Sequence, residues 1–159
     1  MSELKDFFGA SVGAAAALIG LLFVAITLAP EAIFGAGAEA RLRGRAVGAF
    51  NAFGNVFFVS LAALLPTRAA PTATAVVAFL SLCQCLNNAL QMRRLFPELR
   101  DWRNFGAISA AIFAVELLVA IRLRFGAAQP LTLAYILLGL YAYALGSSWE
   151  LLGAHRSRK

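Results

Sequence analysis

Residues 7–30 form an uninterrupted apolar run, FFGASVGAAAALIGLLFVAITLAP, 24 residues long and free of charge. Roughly 20 such residues span the hydrocarbon core of a bilayer as a helix. Lipid offers the backbone no hydrogen-bond partner, so a chain entering it must satisfy every N–H and C=O internally. This run therefore predicts a membrane helix and fixes lipid as the solvent for the rest of the chain.

The composition agrees. Hydrophobic residues make up 61% of the 159-residue chain and charged residues 14%. Soluble domains carry about 25% charged residues. The formal net charge of +6 invites a nucleic-acid reading, but the basic residues sit in short clusters between apolar runs. That pattern sets membrane topology and implies no nucleic-acid partner. The segment before the first run, MSELKD, opposes Glu3 and Asp6 to Lys5. It lacks the positive charge of a signal peptide, and the apolar core is longer than a signal h-region. The run reads as a retained helix.

Five segments pass the length test: about 7–30, 46–67, 69–92, 104–121 and 125–149. The third opens near Pro71, a residue suited to a helix start. The fourth is shorter and contains Glu116. The links are brief and leave no room for a soluble domain. The fold expected is all-α: one transmembrane domain over 1–159, a compact bundle of five membrane-spanning helices. Arg41, Arg43, Arg45, Arg93, Arg94, Arg100, Arg103, Arg156, Arg158 and Lys159 then share one side, against Lys5, Arg68, Arg122 and Arg124 on the other. By the positive-inside rule the N-terminus lies outside and the C-terminus inside. Trp102 and Trp149 fall at the cytoplasmic interface, where tryptophan is favoured.

Polar side chains inside the spans are the candidate site. Asn51 and Asn55 are one turn apart on the second span. Gln84, Asn88 and Gln91 follow i, i+4, i+7 on the third, with Asn87 beside them. Thr27, Glu31, Ser147, Ser148 and Glu150 end other spans at similar depth, and the outer half of the bundle offers little to match them. Two readings arise. The amides are hydrogen-bond glue between helices, or they line a cavity open to the cytoplasm with Glu116 at its blind end. An intramembrane acid is a functional candidate by default, and no basic residue lies within a span to pair with it. A neutral Glu116 bonded to an amide would be structural, whereas a titrating one would suit proton or cation passage.

Small residues repeat at four-residue spacing: Gly9 and Gly13, Ala16 and Gly20, Gly44 and Gly48. Such spacing allows close helix contact, within the bundle or between subunits. Cys83 and Cys85 are two apart, on different faces of a helix, and are expected to pack as small hydrophobes. No set of His, Cys and carboxylates suggests a metal, no cofactor motif is present, and His155, the only histidine, sits in the basic tail.

Residues 13–28, GAAAALIGLLFVAITL, resemble the opening helix of small bacterial polytopic membrane proteins of unknown function, some labelled modulator of FtsH protease. The resemblance implies a bacterial inner-membrane protein, and the excess of arginine over lysine, twelve to two, fits a GC-rich genome. The function expected is a small non-catalytic membrane subunit or regulator, in contact with lipids, assembling as a homo-oligomer or with a larger complex. The alternative is a small proton or cation channel or solute transporter around Glu116. An integral-membrane enzyme using Glu116 as acid or base is a third and weaker option.

Overall fold

In the computed structural model of the protein, residues 2–28, 30–35, 40–66, 69–95 and 101–154 are described. They form α1 (Ser2–Leu28), a short α2 (Pro30–Phe34), α3 (Ala40–Ala63), α4 (Ala70–Leu95), α5 (Asp101–Arg124) and α6 (Pro130–Ala154). Four stretches are long and apolar enough to cross a membrane: Glu3–Leu28, Leu42–Ala63, Ala70–Gln91 and Pro130–Trp149. α5 matches them in length but ends in Arg122 and Arg124 and carries Glu116.

The helices extend past the apolar runs. α3 begins at Ala40 rather than near residue 46 and takes Arg41, Arg43 and Arg45 into its first turns. Charge near a helix end does not oppose helical backbone, whereas hydropathy stops counting there. α6 starts at Pro130, not residue 125, because residues 125–129 make a turn. Gly126 adopts φ 69°, the left-handed conformation glycine takes just past a helix end. Its N–H donates to the Leu123 carbonyl (3.2 Å), and the Ala127 N–H donates to the Arg122 carbonyl (2.9 Å). This pair of bonds is the Schellman motif, which satisfies the last carbonyls of α5. Pro130 then opens α6, where its missing N–H has no helical partner to lose.

α3 is the axis of the bundle, packed by α1, α4 and α6, while α5 lies chiefly against α4. Ala46, Ala49, Ala52, Phe53, Val56, Val59 and Ala62 of α3 are all buried. Small residues let its neighbours approach closely, and Phe53 fills the space between them. α1 contributes Phe8, Ser11, Ala15 and Leu22, spaced as one helical face. From α6 come Leu133, Leu137, Leu140 and Ala144, and from α5 Phe113 and Val119. Many large apolar side chains are left on the surface, Leu28, Phe58, Leu80, Val115 and Leu138 among them. A surface of this kind suits lipid.

Candidate functional site

Glu116 lies at the centre of the bundle. It shares the inward face of α5 with Ser109, Phe113 and Ala120 and is fully buried. Across from it, on α3, Asn55 is also buried. The Asn55 Nδ2 donates to Glu116 Oε2 at 2.9 Å and to Ser81 Oγ of α4 at 2.9 Å. Both amide hydrogens are thereby used, and one side chain ties three helices. The remaining oxygens, Asn55 Oδ1 and Glu116 Oε1, are buried with no hydrogen-bond partner.

Two further polar layers flank this one. Towards the C-terminal end of α3, Ser60 Oγ donates to Ser11 Oγ at 3.0 Å, and the Tyr141 hydroxyl donates to the Ser11 carbonyl at 2.6 Å. With the tyrosine proton so committed, the 3.1 Å contact between Ser11 Oγ and Tyr141 Oη has the serine as donor. This layer joins α1, α3 and α6, about 7.5 Å from Asn55 by the helical rise. In the other direction Ser109 of α5 bonds Tyr143 of α6, about 10.5 Å from Glu116. Sequence reasoning missed these two layers. Single hydroxyls are common in apolar helices, and only the matching positions of Ser11 and Ser60 on neighbouring apolar runs could have signalled the first of them.

The structure brings together two of the cavity candidates, Glu116 and Asn55, and turns three of the four α4 amides away from them. Gln84, Asn87 and Gln91 are exposed on the outward face of α4, and Asn88 is half-buried. α4 turns Thr74, Ala78, Ser81 and Cys85 towards the bundle, which leaves the row Leu80, Gln84, Asn87 and Gln91 facing out. Asn51 is half-buried one turn before Asn55 without contributing to the Glu116 layer. Ser147 and Ser148 donate to the Tyr143 and Ala144 carbonyls of their own helix, and Thr27 to the Val24 carbonyl. Glu31 is exposed. The side chains of Trp102, Glu150, Arg93, Arg94 and Arg103 lie outside the described residues, as do Arg100 and the basic tail.

Gly9, Gly13 and Gly20 lie on the exposed face of α1, and Gly44 and Gly48 are half-buried on α3. A Cβ at Gly9, Gly13, Gly20 or Gly44 would meet no other atom within 4 Å. Cys83 is exposed and Cys85 buried, both as free thiols. Among the described residues, no three His, Cys, Asp or Glu side chains stand close enough to hold a metal ion.

Chemically, the central layer can exchange hydrogen bonds or hold a proton. The outward amides of α4 can bind complementary amides or other polar groups. Compared with known proteins, the chain matches no protein-family model, no curated sequence and no solved structure.

Proposed function

We propose that the chain is a small, non-catalytic bacterial inner-membrane subunit of five spanning helices, N-terminus out and C-terminus in. It assembles with further copies of itself through the outward face of α4. One observation carries this reading: Gln84, Asn87 and Gln91 are exposed on a helix apolar enough to span a membrane, and none of them bonds to another described residue. An amide in lipid is costly until it finds a hydrogen-bond partner. A carboxamide both donates and accepts. A second copy related by a two-fold axis therefore offers each of these amides a matching group, as isologous dimers require. Leu80 and Leu90 on the same face, both exposed, supply apolar contact around them. The exposed glycines of α1 offer a further surface for close helix approach.

The channel reading draws less support. Three of its four proposed lining amides on α4, Gln84, Asn87 and Gln91, are exposed on the outward face, and Asn55 bonds both Glu116 and Ser81.

Cys83 provides the test, because it is exposed on this same face. Oxidation in native membranes is expected to yield a covalent dimer that disappears in Cys83→Ser and persists in Cys85→Ser. A chain that stays monomeric after oxidation, and by mass in nanodiscs at high protein density, would rule out self-assembly through α4.

A further inference from the structure

The central layer has a donor deficit. Asn55 has spent both N–H groups, on Glu116 Oε2 and Ser81 Oγ. Two acceptor oxygens remain, Asn55 Oδ1 and Glu116 Oε1, both buried and unpartnered. A carboxylate has no hydrogen to give, so with Glu116 ionised neither oxygen can be satisfied by the other. Leaving such atoms bare in an apolar interior is costly. The existing bond joins Asn55 Nδ2 to Glu116 Oε2. A hydrogen carried by the carboxyl group itself would make one orphan a donor to the other.

We propose that Glu116 carries a proton on Oε1, donated to Asn55 Oδ1, so that the two side chains form a closed acid–amide pair and the bundle centre is a buried proton-binding site. Oε2 is then the carbonyl oxygen, accepting from Nδ2 as observed. The pair is neutral, and α5 sits in the bundle without a charge at its middle.

The surroundings bear on this. From α3 the facing group is Asn55 itself, and the charged residues of that helix, Arg41, Arg43 and Arg45, lie in its first turns. Arg45 stands ten residues before Asn55, about 15 Å along the axis. From α4 come Ser81 and, one turn on, the thiol of Cys85. α6 presents Tyr143, which bonds Ser109 two turns from Glu116. On α5 itself Arg122 and Arg124 are exposed near the helix end. None of these places a cation beside the carboxyl group. A bound metal cation is the competing way to satisfy two acceptors, but the burial of the pair favours the proton, which needs no coordination sphere. This inference uses none of the observations on the α4 face.

Infrared spectra of the protein in lipid bilayers at neutral pH read the proton directly, through the C=O stretch of a protonated carboxyl group. The wild type is expected to show one such band, shifted by deuterium exchange and by 13C-glutamate labelling, and absent in Glu116→Gln. That variant supplies an N–H in place of the acid hydrogen and should retain wild-type resistance to unfolding. In Asn55→Ser the band should move to higher frequency as its acceptor is lost, which decides the question even if Glu116→Gln does not fold. A wild-type spectrum with carboxylate bands alone would overturn the proposal. So would a protonated band that vanishes when sodium is added, since a cation would then be the natural occupant.

Discussion

Asn55 and Glu116, separated by 61 residues in sequence, meet in a 2.9 Å hydrogen bond between α3 and α5. The helices themselves touch little: α5 packs mainly on α4. The bond therefore links two helices that are otherwise held together mainly through α4, and Ser81 of that helix joins it. Replacing Asn55 by Leu removes the only donor that Glu116 has among the described residues. A buried polar group left without its partner costs about 1–3 kcal/mol, so Asn55→Leu is expected to destabilise the fold by about 2 kcal/mol in a reversible denaturant titration in mixed micelles. Asn55→Leu with Glu116→Leu should recover part of that loss, because both partners are then apolar.

The layer of Ser11, Ser60 and Tyr141 should behave as a coupled unit. Ser11 stands in the middle, accepting from Ser60 and donating to Tyr141. Hydrogen bonds between membrane helices average about 0.6 kcal/mol and reach about 1.7. Ser60→Ala and Tyr141→Phe each remove one partner of the same Ser11 hydroxyl. A double-mutant cycle on unfolding free energy is expected to return a coupling of about 0.5 kcal/mol. Strict additivity would mean that Ser11 transmits nothing between them.

The helices were legible in the sequence as long apolar runs, and each run has its helix. Their ends were less so. Hydropathy stops at Arg45 while the backbone of α3 continues to Ala40, since charged residues are ordinary in helical turns outside the apolar core. Glu116 stood out as a lone acid in an apolar run, and Asn55 as one of six amides offered to line a cavity with it. Which face of α4 turns inward was not legible. In a soluble helix the polar face looks out, but here both faces are apolar with a few polar residues. The rows Thr74, Ala78, Ser81, Cys85 and Leu80, Gln84, Asn87, Gln91 carry the same alternating four- and three-residue spacing. Only packing against α3 and α5 chooses between them, and it chooses the row with smaller side chains.

Gly126 tests the turn that sets α6 against α5. Its φ of 69° is costly for a residue with a Cβ, by roughly 1–2 kcal/mol, while the space around it is open. Gly126→Ala should therefore lower stability by about 1 kcal/mol through backbone strain alone. Gly126→Asn should lose less, since Asn tolerates this conformation better than other side chains. Equal stability of Gly126→Ala and wild type in the same denaturant titration would show that the turn relaxes to another form.

The α4 face makes the most direct prediction about assembly. If Asn87 and Gln84 bond their counterparts in a second copy, replacing either by Leu removes those bonds and leaves a side chain that lipid accepts. The monomer should be unharmed, because neither residue bonds within the bundle among the described residues. The dimer should weaken. With about 0.6–1.7 kcal/mol per interhelical bond and 1.4 kcal/mol per tenfold in an equilibrium constant, Asn87→Leu is expected to raise the dissociation constant about three- to twentyfold. Energy transfer between labelled copies in liposomes, followed as lipid is added, measures this constant. Tyr135, on the exposed surface of α6, provides the control: Tyr135→Phe should leave the curve unchanged. A dissociation constant unmoved by Asn87→Leu and Gln84→Leu together would mean that copies meet through another face.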